Sequence, residues 1–212
     1  MRILSEACML LIAFCLYWCN RERRRYLKKR IGSKAPLNVY QAARNMGFML
    51  TKKDLEIKGD TTVLRNGAIL YSFHFGVWEL MPCTLRRLGY DLGVVVNRYG
   101  GGRRHLFAEF FDKFLYKFRS TGNIGVFYKE DTMKMVRFVK DGGLLGMLVD
   151  GNTFYSKFEK AQKLSRLNNL PLVPFAAYRK NGTGILEINC DLEKRVKERP
   201  LDYMWFYRSR TE

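Results

Sequence analysis

The sequence predicts an α/β fold: a mainly parallel central sheet with helices on both faces, preceded by an N-terminal membrane anchor helix. Three observations lead there. Short apolar runs at 68–71, 92–96 and 144–149 alternate with helix-like segments, the pattern of strands buried on both faces. Hydrophobic residues make up 47% and aromatic residues 14% of a 212-residue chain, enough for one sizeable core. An unbroken apolar run at 7–19 is followed directly by seven basic residues between Arg21 and Arg30. Two units follow: an anchor with its basic juxtamembrane segment at 1–30, and a folded domain at 31–212.

The anchor assignment rests on what flanks the apolar run. The run is shorter than the roughly 20 residues that span a bilayer comfortably. No small-residue cleavage site follows it, which disfavours a signal peptide. The basic cluster places that flank in the cytoplasm and against anionic lipid. An apolar helix packed on the domain is the alternative. Next, the Gly, Ser and Pro content of 31–36 predicts a linker. Residues 38–50 read as a helix with Val39, Ala42, Ala43 and Met46 on one side. Residues 55–59 alternate like a strand and enter a turn at Gly59-Asp60. A strand at 68–71 leads to His74, and 77–88 reads as a helix. The strand at 92–96 ends in Asn97-Arg98-Tyr99-Gly100-Gly101-Gly102-Arg103-Arg104, a cationic, glycine-rich loop suited to a phosphate, although it is no P-loop because Gly-Lys-Ser/Thr is absent.

Residues 105–119 form the clearest helix. Leu106, Phe107, Phe110, Phe111, Phe114, Leu115 and Phe118 make one apolar face, suited to the core or to a lipid interface. Strand 123–127, helix 130–140, a stop at Asp141-Gly142-Gly143, and strand 144–149 follow in turn. Strands at 172–178 and 185–190 complete the set, joined through a hairpin turn at Asn181-Gly182.

Composition narrows the function. Lys and Arg total 38 against 20 acids, a formal net charge of +18, which favours an anionic partner. The apolar N-terminus points to a membrane rather than to nucleic acid. Five scattered cysteines without a C-x-x-C pair indicate reduced thiols and a cytosol-facing domain. With His74 and His105 as the only histidines, a histidine-rich metal site is disfavoured. No cofactor is called for.

The chemistry centres on Ser72-Phe73-His74-Phe75-Gly76-Val77-Trp78-Glu79. On one continuous helix His74 and Glu79 would stand about 140° apart. They meet only if His74 lies in a strand-to-helix turn and Glu79 in the first helical turns. Glu79 would then hold one imidazole nitrogen and leave the other as a general base, a role suited to a side chain whose pKa is about 6.5. The bland alternative is a surface histidine beside an acid. In parallel sheets sites lie at the carboxyl ends of strands, and His74, Arg98 and Asp150 each follow a strand.

The block His74, Gly76, Trp78 and Glu79 resembles the H-x-x-x-x-D/E motif of the glycerolipid acyltransferase superfamily. It is most similar to the lauroyl/myristoyl acyltransferases of lipid A biosynthesis. Four more stretches agree in order: YQAARNMGFML at 40–50, Arg119 onward, GLLGMLVD at 143–150 and PLDYMWFYRSR at 200–210. The resemblance implies a membrane-associated enzyme of the bacterial inner (cytoplasmic) membrane with its catalytic domain facing the cytoplasm. It would move a fatty acyl chain from acyl carrier protein or acyl-CoA to a lipid A precursor or lysophospholipid. His74 would be the base, oriented by Glu79. Arg119 would bind the acceptor's phosphate or the oxyanion, with Arg98 also on the substrate side. Asp150 would hold the loop or Arg119. The chain departs from the family in shortened stretches after Asp150 and before Pro200, where a helix between Ile188 and Pro200 is expected to be nearly absent.

Overall fold

A computed structural model describes residues 21–51, 53–97, 119–150 and 155–203, with isolated helical positions at 7, 11, 113, 116 and 117. Its centre is a seven-stranded sheet in the order β1-β7-β6-β2-β5-β3-β4. The strands are β1 (Glu56–Lys58), β2 (Ala68–Ser72), β3 (Leu92–Val96), β4 (Gly125–Tyr128), β5 (Leu144–Leu148), β6 (Leu172–Lys180) and β7 (Thr183–Ile188). Every neighbouring pair is parallel except β6–β7. That antiparallel pair is a two-residue hairpin through Asn181 (φ 50°) and Gly182 (φ 82°), the positive-φ turn expected of Asn-Gly. The α/β architecture and mostly parallel sheet agree with the sequence reading.

Two apolar layers cover the sheet. On one face, α2 (Ala35–Leu50) and α3 (Met81–Arg87) bring Phe48, Met49, Met81 and Leu85 onto Leu70, Leu92 and Phe175. On the other, α4 (Thr132–Lys140), α5 (Phe158–Asn168) and α6 (Leu192–Glu198) bring Met135, Val139, Ala161, Leu164, Leu192 and Val196 onto Ile69, Leu145 and Ala176. Ile69 and Leu70 are both fully buried yet serve opposite layers, which is why β2 reads as a continuous apolar run. Each such side chain contributes about 1.5–3 kcal/mol by leaving water.

Several local expectations are corrected. The basic stretch is itself a helix, α1 (Arg21–Ile31), and the anticipated linker is a short 3-10 turn, Gly32–Lys34, leading straight into α2. Pro36 does not break this path because it occupies the first turn of α2, where no backbone donor is needed. The helix thought nearly absent before Pro200 is present as α6. Its N-cap is Asp191, whose side chain accepts from the Lys194 backbone N–H at 3.0 Å, and its apolar pair Leu192/Val196 falls at i, i+4. α5 was missed altogether.

Other expectations fall elsewhere. The anchor run at 7–19 lies outside the described residues apart from Ala7 and Leu11, both helical. Among the described residues no helix is long and apolar enough to cross a membrane. The loop holding Arg98 and the apolar face of the 105–119 helix also lie outside the described residues.

Candidate active site

Strand register builds the first half of the site. β2 and β5 are adjacent and parallel, with Ser72 opposite Leu148. His74 and Asp150 each lie two residues beyond that pair, so the ladder delivers both to the same point past the carboxyl edge. Val149 N still donates to Ser72 O at 2.9 Å, extending the pairing one step. His74 Nδ1 stands 2.7 Å from Asp150 Oδ1, and the His74 backbone N–H donates to Asp150 Oδ2 at 3.0 Å. The carboxylate therefore grips ring and main chain together. Asp150 is fully buried and His74 is 15% exposed. A carboxylate only accepts, so this contact places a ring proton on Nδ1; in the neutral ring the lone pair is then on Nε2.

The spacing-based expectation that Glu79 orients the ring is corrected here: Asp150 holds it. After β2 the chain does not enter an α-helix at once. Gly76 turns with φ +61°, a 3-10 segment spans Trp78–Leu80, and only then does α3 begin. Glu79 instead accepts from Arg119 Nε at 3.0 and 3.2 Å, and Arg119 Nη2 completes a bidentate grip on the same carboxylate. Arg119 is helical and ends the segment that precedes β4. Asp150 thus holds the place against the ring that was expected of Glu79, and Arg119 rests on Glu79 rather than on Asp150.

Trp78 joins the two pairs. Its ring meets the His74 imidazole edge-on at 5.3 Å. Trp78, Glu79 and Arg119 also line a small cleft of about 50 Å³, with Val96 and Leu148 at the carboxyl ends of β3 and β5 and Gly146 midway along β5. The cleft combines apolar walls with one carboxylate–guanidinium pair, and at this size it admits only a small group; His74 and Asp150 are not part of its lining.

The main-chain donors of residues 75–77 are already engaged. Phe75 N donates to Phe73 O at 2.7 Å, Gly76 N to Asp202 O at 2.8 Å and Val77 N to Ala177 O at 2.8 Å. A Cβ at Gly76 would run into the Ala177 carbonyl oxygen, so glycine is required by space as well as by φ. Arg119 is a cationic group in the cleft suited to a developing negative charge.

Two reactive side chains of the same apolar layer are silenced. Tyr155 packs against Phe73 at 5.1 Å; burial, reinforced by Glu193, pushes its phenol up to about 12. Burial followed by repulsion from Glu187 pushes the Cys190 thiol up to about 12 as well. Neither is a nucleophile near neutral pH. Among the described residues no three His, Cys, Asp or Glu side chains gather into a group that could hold a metal.

The sequence reading also missed Asp202. It is 3% exposed and fastens the end of the described chain beside the His74 turn. Its place in PLDY at 200–203 marked the segment, but not its destination. No protein-family model and no curated protein matches this chain.

Proposed function

We propose that the protein is a membrane-associated O-acyltransferase in which His74 is the general base, Asp150 its orienting carboxylate, and the Glu79–Arg119 pair the charged wall of the substrate cleft. The observation that carries this reading is the two-point grip of buried Asp150 on His74, at 2.7 Å to the ring and 3.0 Å to the backbone N–H. A solvated surface histidine has no use for a fully buried carboxylate, whose desolvation is costly unless compensated.

The reaction then proceeds without a covalent enzyme intermediate. His74 Nε2 takes the proton of an acceptor hydroxyl as the oxygen attacks the thioester carbonyl. Asp150 stabilises the imidazolium that forms. Negative charge on the carbonyl oxygen is met by Arg119. The tetrahedral species collapses, the C–S bond breaks, and the departing sulfur takes its proton from the imidazolium. Ester and free thiol leave together, and His74 returns to its starting tautomer.

The substrates follow from charge and from the sequence resemblance. The donor is acyl carrier protein or acyl-CoA, and the acceptor is a lipid A precursor or lysophospholipid. The net charge of +18 suits both an acidic carrier and an anionic membrane. The basic helix α1 would lie against that membrane, with the apolar run before it as the anchor and the bacterial inner membrane as the location. The test is transfer from labelled acyl carrier protein, and separately from acyl-CoA, to an inner-membrane lipid extract by the full chain in vesicles. Labelled lipid that depends on His74 supports the reading. A folded wild-type protein that transfers nothing from either donor, yet binds anionic vesicles, would instead make it a non-catalytic lipid-binding protein.

A further inference from the structure

The ladder that positions His74 stops short of it. β2 ends at Ser72, and residues 73–76 then pass through a tight turn containing a left-handed glycine, the sort of segment that is loose unless tied from outside. The tie comes from the other end of the chain. The Asp202 carbonyl accepts from Gly76 N at 2.8 Å, Tyr203 forms an antiparallel bridge with Phe75, and the Tyr203 ring lies 6.2 Å from that of Phe73. The residues on both sides of His74 therefore touch one short strap, 200–203.

The strap is in turn fixed by its own side chain. Asp202 Oδ1 accepts from Gln41 Nε2 at 2.8 Å and Asn45 Nδ2 at 2.9 Å, and Oδ2 accepts from Arg199 Nε at 2.7 Å. Asn38 Nδ2 adds a bond to Leu201 O at 3.1 Å. A carboxylate only 3% exposed is costly unless its acceptors are satisfied, and here both oxygens are. Gln41 and Asn45 sit one turn apart on α2, so the helix presents matched donors to a single oxygen.

We infer that Asp202 is a positioning residue for His74: docked on α2 through Gln41 and Asn45, it holds the turn so that ring and backbone of His74 both reach Asp150. The two-point grip demands this. A shift of the turn by about an ångström would lengthen one contact with Asp150 beyond hydrogen-bond range. Asp202 acts through the backbone of Gly76 and has no role in the bond-making itself. The inference rests on the reading of His74 as the base.

The test reads His74 directly. In a His105→Gln background one imidazole remains, and long-range ¹H–¹⁵N spectra report its tautomer without any acyl donor. The parent protein is expected to show one tautomer, protonated at Nδ1. Asp202→Ala is expected to give a mixture of tautomers and a loss in kcat of about 10²-fold with KM little changed, the effect of a base displaced by about an ångström. Asp202→Asn keeps an acceptor oxygen for Gln41 and Asn45 but turns an amide donor toward Arg199 Nε, and is expected to restore the single tautomer in part. If Asp202→Ala does not fold, the Gln41→Ala/Asn45→Ala pair removes the same docking from the α2 side and is read in the same way. An unchanged single-tautomer spectrum in whichever variant folds overturns the inference, even if transfer falls. The expected spectral change in a protein whose wild type transfers nothing upholds the positioning of His74 and removes only the acyl-transfer reading.

Discussion

Two acid–base couples share one edge of the sheet and are built in opposite ways. His74–Asp150 is assembled by the backbone: adjacent parallel strands in fixed register deliver both residues, and a main-chain N–H is part of the contact. Glu79–Arg119 is assembled by side chains alone, reaching from a 3-10 turn to the end of a helix 40 positions away. Asp150 is fully buried, whereas Glu79 and Arg119 keep 18% and 22% of their side-chain surface. A couple set by register has one geometry. A couple set by long side chains can exchange its partner for a ligand at modest cost. The first therefore suits proton transfer, and the second suits binding and charge stabilisation.

The largest effect is expected from breaking the register-fixed couple. His74→Ala should lower acyl transfer by roughly 10²- to 10⁴-fold, the usual worth of a general base. Asp150→Asn should fall in the same range because an amide can donate to Nδ1 and favour the wrong tautomer. The double variant should be little worse than His74→Ala alone, since orientation is idle without the base. Single-turnover rates with saturating donor check this. Additive losses would show that Asp150 acts independently of the ring.

Next comes the backbone beneath that couple. Gly76→Ala places a side chain at φ +61° and against the Ala177 carbonyl. The left-handed strain costs about 1–2 kcal/mol, and the clash adds about 1–3 kcal/mol if the chain must shift. A lowered urea midpoint with unchanged m-value, together with slower transfer, is expected. Wild-type stability in Gly76→Ala would mean that the turn is not held by β6 as described.

The contrast also explains what the sequence disclosed. Strands β2, β3 and β5 were legible to within a residue or two because burial on both faces leaves uninterrupted apolar runs. His74 was legible as a strand-end histidine. Its partner was not, because choosing between Asp150 and Glu79 requires knowing that β2 lies beside β5, a pairing across 76 positions that no local pattern encodes. Glu79 is nearer in sequence, and the single break at Gly76 turns it away. α6 went unseen because its seven residues carry only two apolar positions, although the Asp191 cap was there to be read. The polar contacts of Asp202 left only a trace: 40–50 and 200–210 stood out as stretches, but nothing in either says that Gln41, Asn45 and Arg199 meet Asp202 when the strap lands on α2.

The smaller effects belong to the side-chain couple. Glu79→Gln should reduce transfer by roughly tenfold, about 1.4 kcal/mol, by releasing Arg119 from its bidentate hold. Stability separates the couples more finely than activity does. In double-mutant cycles, Glu79→Gln with Arg119→Ala should give a coupling of about 0.5–1 kcal/mol at low ionic strength, as for a partly exposed pair. The coupling should shrink as salt rises, because screening lengths fall from about 30 Å at 0.01 M to about 3 Å at 1 M. The cycle for His74→Ala with Asp150→Asn should be larger and nearly independent of salt, since the ring–carboxylate contact it isolates is buried and Asp150 has no exposed surface. Urea titrations at three salt concentrations give both cycles. Equal salt dependence in the two would mean that water reaches Asp150 as readily as Glu79, and the division of labour between a fixed proton-transfer couple and an exchangeable binding couple would fall with it.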